Sequence, residues 1–303
     1  MLLQILFDSL IRASELALIA VGLTMVYSVL RFPNFAHVEY ATVGAYIAYL
    51  LSVTTGLNFA IAAVIAVLAT AAFGLGTDRL VFSHLRQRSD IILMIASFAL
   101  GIAIRQFVLL FWGPSPQFFS VGWGGALHVG GAHITPVQIG IIAAAVLCMV
   151  SFHLLLNRTK LGVAMRASAD NTPLSEACGI PTDWIIKVIW LLGSGFAGLG
   201  GILLALDTQL QPNMGVSMII PVFGAAIVGG IGDPYGAMLG ALLFGFAENI
   251  GLNINWSPLM HSLGLQAGGY VFIPAGYKEA IPFMLLILIL LLRPQGIMGR
   301  KSS

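Results

Sequence analysis

The chain has 303 residues, 58% hydrophobic and 9% charged, with a formal net charge of +2. Soluble domains carry about 25% charged residues, so the polar surface of a water-soluble fold is missing and an all-α polytopic membrane protein is expected. The near-neutral charge argues against a nucleic-acid partner, and two cysteines, Cys148 and Cys178, give no disulfide or metal framework.

A membrane-spanning helix needs roughly 20 mainly apolar residues, and about nine segments approach that length. The first is Leu10–Leu30. Asp8 stands where a signal peptide carries positive charge, and no small-residue cleavage site ends the run, so the span is expected to be retained. Its Arg12 and Glu15 are three apart on one helix face and can pair. The second span, Ala36–Val53, follows Arg31-Phe32-Pro33-Asn34. Asn34 is placed to cap it, and His37 and Glu39 fall in its first turn, where an acid suits the helix dipole. Two readings stand for Asn34, His37 and Glu39: a satisfied helix start near the interface, or a polar patch facing a translocation path.

The third and fourth spans are Phe59–Val81 and Ile91–Trp112. Arg105 lies near the middle of the fourth, and a cation at that depth needs a partner. Glu248 of the eighth span is the expected one. The segment Gly113–Thr135 has no Lys, Arg, Asp or Glu and is rich in Gly, Pro and aromatics. That suits turns and a short hairpin, with Trp112 and Trp123 as interfacial anchors.

The fifth and sixth spans are Pro136–Leu156 and a glycine-rich Trp184–Leu206. The seventh, Val216–Ile231, is short, and the eighth is Tyr235–Ile254. Between these two, the glycines, Asp233 and Pro234 of Gly229–Gly236 cannot form continuous helix, so a break near a membrane surface is expected. Phe223, Gly229, Gly230 and Glu248 are candidates for the pathway on this half. The ninth span, Ala280–Leu292, is also short. Basic residues cluster after the third span (Arg79, Arg86, Arg88), after the fifth (Arg158, Lys160, Arg166, with Lys187 beyond) and after the ninth (Arg293, Arg300, Lys301). The positive-inside rule then puts loop 157–183 and the C-terminus in the cytoplasm, and loops 113–135 and 253–278 outside, in one domain over 1–303.

The loop after the fifth span reads LGVAMRASADNTPLSEACGI, Leu161–Ile180. Asn171 or Thr172 is a good N-cap, Pro173 suits the first helical position and Gly179 is a good stop. The helix between them is about two turns long, with Leu174, Ala177 and Cys178 on one face. A loop that only reverses direction needs no capped helix. Such a helix fits a groove in a partner, or lies on the membrane surface.

The chain carries no GxxxxGK[ST] phosphate loop, no HExxH and no GxSxG, and its histidines lack metal-ligand spacing. No catalytic residue, bound metal or nucleotide site is expected. Few acids lie within the spans, which argues against a stand-alone ion-coupled carrier.

Three stretches together resemble the permease subunits of the branched-chain amino-acid family of ABC importers. They are GLTMVYSVLRFPNFAHVEYATVGAYIAY (Gly22–Tyr49), the loop LGVAMRASADNTPLSEACGI, and FGAAIVGGIGDPYGAMLGALLFGFAE (Phe223–Glu248) with the closing RPQGIMGR. The resemblance implies the ABC importer permease fold in a bacterial inner membrane. It also implies a second permease subunit, usually a related chain, two ATPase subunits holding ATP and Mg, and an external substrate-binding protein. Loop residues Gly162, Arg166, Ala167, Asp170, Pro173, Glu176, Ala177, Gly179 and Ile180 would then form the ATPase-coupling segment. Branched-chain or other apolar amino acids are the implied substrates, with urea or short amides as the alternative.

Overall fold

The computed structural model describes residues 2–119, 124–257, 272–278 and 280–299. The helices in chain order are α1 (Leu2–Leu30), α2 (His37–Tyr49), α3 (Phe59–Thr77), α4 (Asp90–Trp112), α5 (Pro136–Arg158), α6 (Lys160–Asp170), α7 (Thr172–Ala177), α8 (Thr182–Asp207), α9 (Ile219–Gly229), α10 (Pro234–Asn253) and α11 (Ala280–Leu292). π-helical turns extend α2 through Thr54 and α3 through Phe82. Among the described residues, α1, α3, α4, α5, α8 and α10 are each long and apolar enough to cross a membrane.

The predicted hairpin forms: β1 (Leu127–Val129) pairs antiparallel with β2 (Ala132–Ile134), placing His128 opposite His133. Thr135 and Gln138 then close a capping box that starts α5. Trp112 packs on Tyr46, ring centroids 5.0 Å apart. Trp123, His261, Arg300 and Lys301, and most of loop 253–278, lie outside the described residues.

Helices α1 and α8 form the centre. Their most apolar windows are 78% and 72% buried, against 28%, 28% and 22% for α3, α4 and α5. The outer helices turn side chains such as Ile95, Phe107, Leu110 and Leu147 outward, as helices facing lipid or another membrane subunit do. At the centre α1 packs along α8 and α10, and α2 along α8. Small residues let these backbones approach closely: a Cβ added to Gly44 of α2 would lie 2.6 Å from Gly198 Cα of α8.

Of the spans read from hydropathy, one begins deep in the bundle and another is shorter than a full crossing. The chain leaves α1 at Leu30 and turns back into the bundle without helix before α2 begins at His37. That start is deep, because a Cβ on Gly22 of α1 would lie 2.8 Å from His37 Nε2, roughly 12 Å of helix before α1 ends. The expected short span Val216–Ile231 is present as the apolar helical segment Met214–Gly229, divided at Met218 into a single turn and α9; it is about 24 Å long, where a bilayer core measures about 30 Å. Residues 208–213 precede it without helix and carry a bridge between Leu210 and Gln117. Such backbone at membrane depth is stable only inside protein or beside water. The break expected at Gly229–Gly236 is present as a tight turn with positive φ at Gly230 and Gly232, closed by Asp233 capping α10.

The chain therefore alternates between two ends. One carries the hairpin, the start of α1 and the ends of α8 and α10. The other carries α6, α7, the 230–233 turn and residues 293–299.

Candidate functional site

The turn that leads into α2 meets α9. Asn34 is fully buried, and its Oδ1 accepts from the backbone N–H of Ala36 at 3.1 Å, closing the turn that leads into α2. The N–H of Phe35 donates to Ser97 Oγ on α4 at 3.0 Å. These bonds hold the Phe35 ring stacked on Phe223 of α9, centroids 4.8 Å apart, with Phe98 of α4 edge-on at 6.1 Å. Glu39, one helical turn further on, is 2% exposed and accepts from Thr42 Oγ1 at 3.2 Å. Its carboxylate faces the turn before α9, since a Cβ on Gly215 would lie 2.6 Å from Glu39 Oε2. The result is three aromatic rings and one carboxylate where the non-helical turn before α2 meets α4, α9 and the Met214–Ser217 turn.

Of the sequence candidates, Asn34, Glu39 and Phe223 gather here. His37 does not: it packs against Gly22 of α1 and edge-on to Tyr40, on the other side of α2 from Glu39. Gly229 and Gly230 lie at the far end of α9, where the closing segment docks, with Ile297 N–H donating to Val228 O and Met298 N–H to Gly229 O.

The pair expected between Arg105 and Glu248 does not form. Glu248 is held by Arg12 Nε at 3.1 Å and Lys278 Nζ at 2.9 Å, near the hairpin end. Arg12 also makes the expected bond to Glu15, at 3.4 Å. The reason is packing: α4 lies against α2, whereas α10 lies against α1. Arg105 is half-buried on α4, on the α2 side of the bundle.

At the opposite end, the capped helix forms as α7. Asn171 Oδ1 accepts from Leu174 N–H at 3.0 Å, Pro173 sits in the first turn, and Gly179 ends the helix at φ 83. Glu176 accepts from the Thr182 hydroxyl, which ties α7 to the start of α8. Ser175 is buried, whereas Leu174 (61% exposed), Ala177 and Cys178 turn outward. Ahead of it lies α6, which the sequence reading left as loop. Thr159 caps it at Gly162 N–H, 3.0 Å, and Gly162 packs on the end of α5. Arg166 donates to Leu156 O and to Asn157 Oδ1. Ala167 accepts from Asn171 N–H at the α6–α7 junction, while Asp170 is exposed and Ile180 packs on the main core. A cavity of about 540 Å³ separates α6 from the 231–235 turn, with Arg31, Arg166, Asp170 and Tyr235 among its walls.

Sequence reasoning missed Phe35, Phe98, Thr42 and Gly215 around Glu39, and Arg31 beside α6. Arg31 donates to Ala169 O at 2.6 Å and is the described non-glycine residue with positive φ. Phe35 lay within the quoted NFAH stretch, so a signal for it existed. The others are recognisable only once α4 and residues 214–217 are placed in space.

The family model for "Branched-chain amino acid transport system / permease component" matches residues 5–290. The high-affinity branched-chain amino acid transport system permease protein BraD of Pseudomonas aeruginosa is 33% identical, over 99% of this chain and 96% of its own. The corresponding LivH protein of Escherichia coli K12 is 30% identical over the same shares. The probable LivH permease of Methanocaldococcus jannaschii is 28% identical over 98% of this chain and 92% of its own. With a helical polytopic fold and a family match over nearly its whole length, the chain belongs to the branched-chain amino acid transport permease family.

Proposed function

We propose that this chain is the membrane-spanning permease subunit of an ATP-driven importer, and that it carries branched-chain or other apolar amino acids from an external binding protein into the cytoplasm. The hairpin end faces outside, and the α6–α7 end faces the cytoplasm, where the basic residues Arg86, Arg88, Arg158, Lys160, Arg166 and Arg293 fall. A second, related permease subunit completes the pathway against the outward apolar surface. Two ATPase subunits hold ATP and Mg and dock on the α6–α7 segment. The chain itself catalyses no reaction.

The observation that carries this reading is α7. It is short, capped at both ends and anchored through Ser175 and Glu176, yet it presents Leu174, Ala177 and Cys178 to the outside. That is the shape of a helix seated in a partner's groove. Glu39 with Phe35, Phe98 and Phe223 then forms the pathway constriction. The rings offer apolar surface to an aliphatic side chain, which favours apolar amino acids over urea or short amides. Movement of the ATPases shifts the populations of outward- and inward-open states through this segment.

The test is purification of the tagged chain from its native membrane. Wild-type chain is expected to bring two ATPase polypeptides and a second permease. Leu174→Asp with Ala177→Trp is expected to lose the ATPases while the second permease stays. Substrate movement by the chain alone, in vesicles lacking ATP, contradicts the reading.

A further inference from the structure

At the hairpin end a second cavity, about 190 Å³, opens between the start of α1, the start of α5 and the ends of α8 and α10. Pockets for ordinary small molecules measure roughly 300–1,000 Å³, so this one admits only a small ligand or the head group of one. Its walls are charged to a degree rare within membrane helices. Asp8, Glu15 and Asp207 line it with Arg12 and Lys278, and Ile11 supplies apolar surface. Both cations are already bonded to Glu248, and Arg12 also to Glu15. Asp8 and Asp207 accept from neutral amides, Gln4 Nε2 at 2.9 Å and Gln138 Nε2 at 3.1 Å. Among the described residues four carboxylates thus face two cations, and negative charge is in excess.

One atom points to a ligand. Glu15 is 1% exposed, lines the cavity, and its Oε1 has no hydrogen-bond partner among the described residues. A buried carboxylate oxygen without a donor is costly, and a small cation entering the cavity relieves it. The arrangement is also polarised. The unmatched acid is at the buried end, while Lys278, with a 42% exposed side chain, is at the rim.

We infer that this cavity is a receiving site for the charged head group of a small zwitterion. The ammonium enters against Glu15, with Asp8 and Asp207 beside it, and the carboxylate remains at the rim with Lys278. The aliphatic side chain is left outside the charged walls and is not read. The inference rests on the amino-acid importer reading and adds to it a head-group filter at the mouth, separate from the aromatic junction around Glu39.

The experiment uses the intact importer, with its ATPases and binding protein, in native membrane vesicles, together with leucine binding to the purified permease–ATPase complex. The wild-type complex should bind radiolabelled leucine and alanine with affinities within about threefold. Isoamylamine, which keeps the ammonium, should compete; 4-methylpentanoate, which keeps the carboxylate, should not. Glu15→Gln should weaken leucine binding at least tenfold without lowering the melting temperature, and Asp207→Asn severalfold. Equal binding by wild type and Glu15→Gln, or competition by the acid as strong as by the amine, overturns the inference and leaves the importer reading intact. Displacement of leucine by sodium or potassium but not by choline marks a metal-cation site and also overturns it. Vesicles that import no amino acid overturn the importer reading itself, and this inference with it.

Discussion

Arg31 ends α1 at φ 60, the left-handed conformation, while its N–H closes the last turn onto Tyr27 O at 2.9 Å. That position normally belongs to glycine, because a side chain there costs roughly 1–2 kcal/mol. Arg31 offsets the cost through its guanidinium bond to Ala169 O on α6. Two substitutions separate the terms. Arg31→Ala keeps the strain and loses the bond, whereas Arg31→Gly loses both. The glycine variant should be more stable than the alanine variant by about 1 kcal/mol, read as unfolding midpoints in detergent; equal midpoints would show that no strain is stored there. Glu39 and Glu248 were both visible in the sequence as acids in or near spans, but their partners Thr42, Arg12 and Lys278 were not. The Arg105–Glu248 expectation failed because charge pairing depends on which helices touch, and hydropathy says nothing of that. Arg12–Glu15 succeeded because a spacing of three is fixed by the helix itself.

At the scale of elements, local signals were legible and depth was not. The caps of α7, the stop at Gly179, the hairpin and the Gly230–Asp233 turn follow from side chains within a few residues of one another. The deep start of α2 does not, since a hydropathy window registers apolar composition rather than level in the membrane. The segment 157–171 was read as loop because α6 is amphipathic and polar, and its Thr159 cap was overlooked. Close packing of α2 on α8 yields a paired prediction. Gly44→Ala would push a methyl into Gly198 and should destabilise by about 1–3 kcal/mol. Gly76→Ala on α3 meets nothing within 4 Å and should be neutral or stabilising by up to about 1 kcal/mol. Thermal unfolding in detergent compares them, and equal losses at both sites would argue against tight α2–α8 contact.

For the molecule as a whole, the arrangement is a buried centre of α1 and α8 with proposed functional features at three levels. A charged cavity lies at the hairpin end, an aromatic and acidic junction where the turn into α2 meets α9, and an exposed capped helix at the opposite end. The central claim is that this last helix is a cytoplasmic docking element, and Cys178 on its outward side reports on it directly. In a Cys148→Ala background, a membrane-impermeant maleimide should label Cys178 in inside-out vesicles stripped of ATPases and not in right-side-out vesicles. Adding back the ATPase subunits should protect it. Labelling from the outer side, or labelling unaffected by the ATPases, would contradict the account.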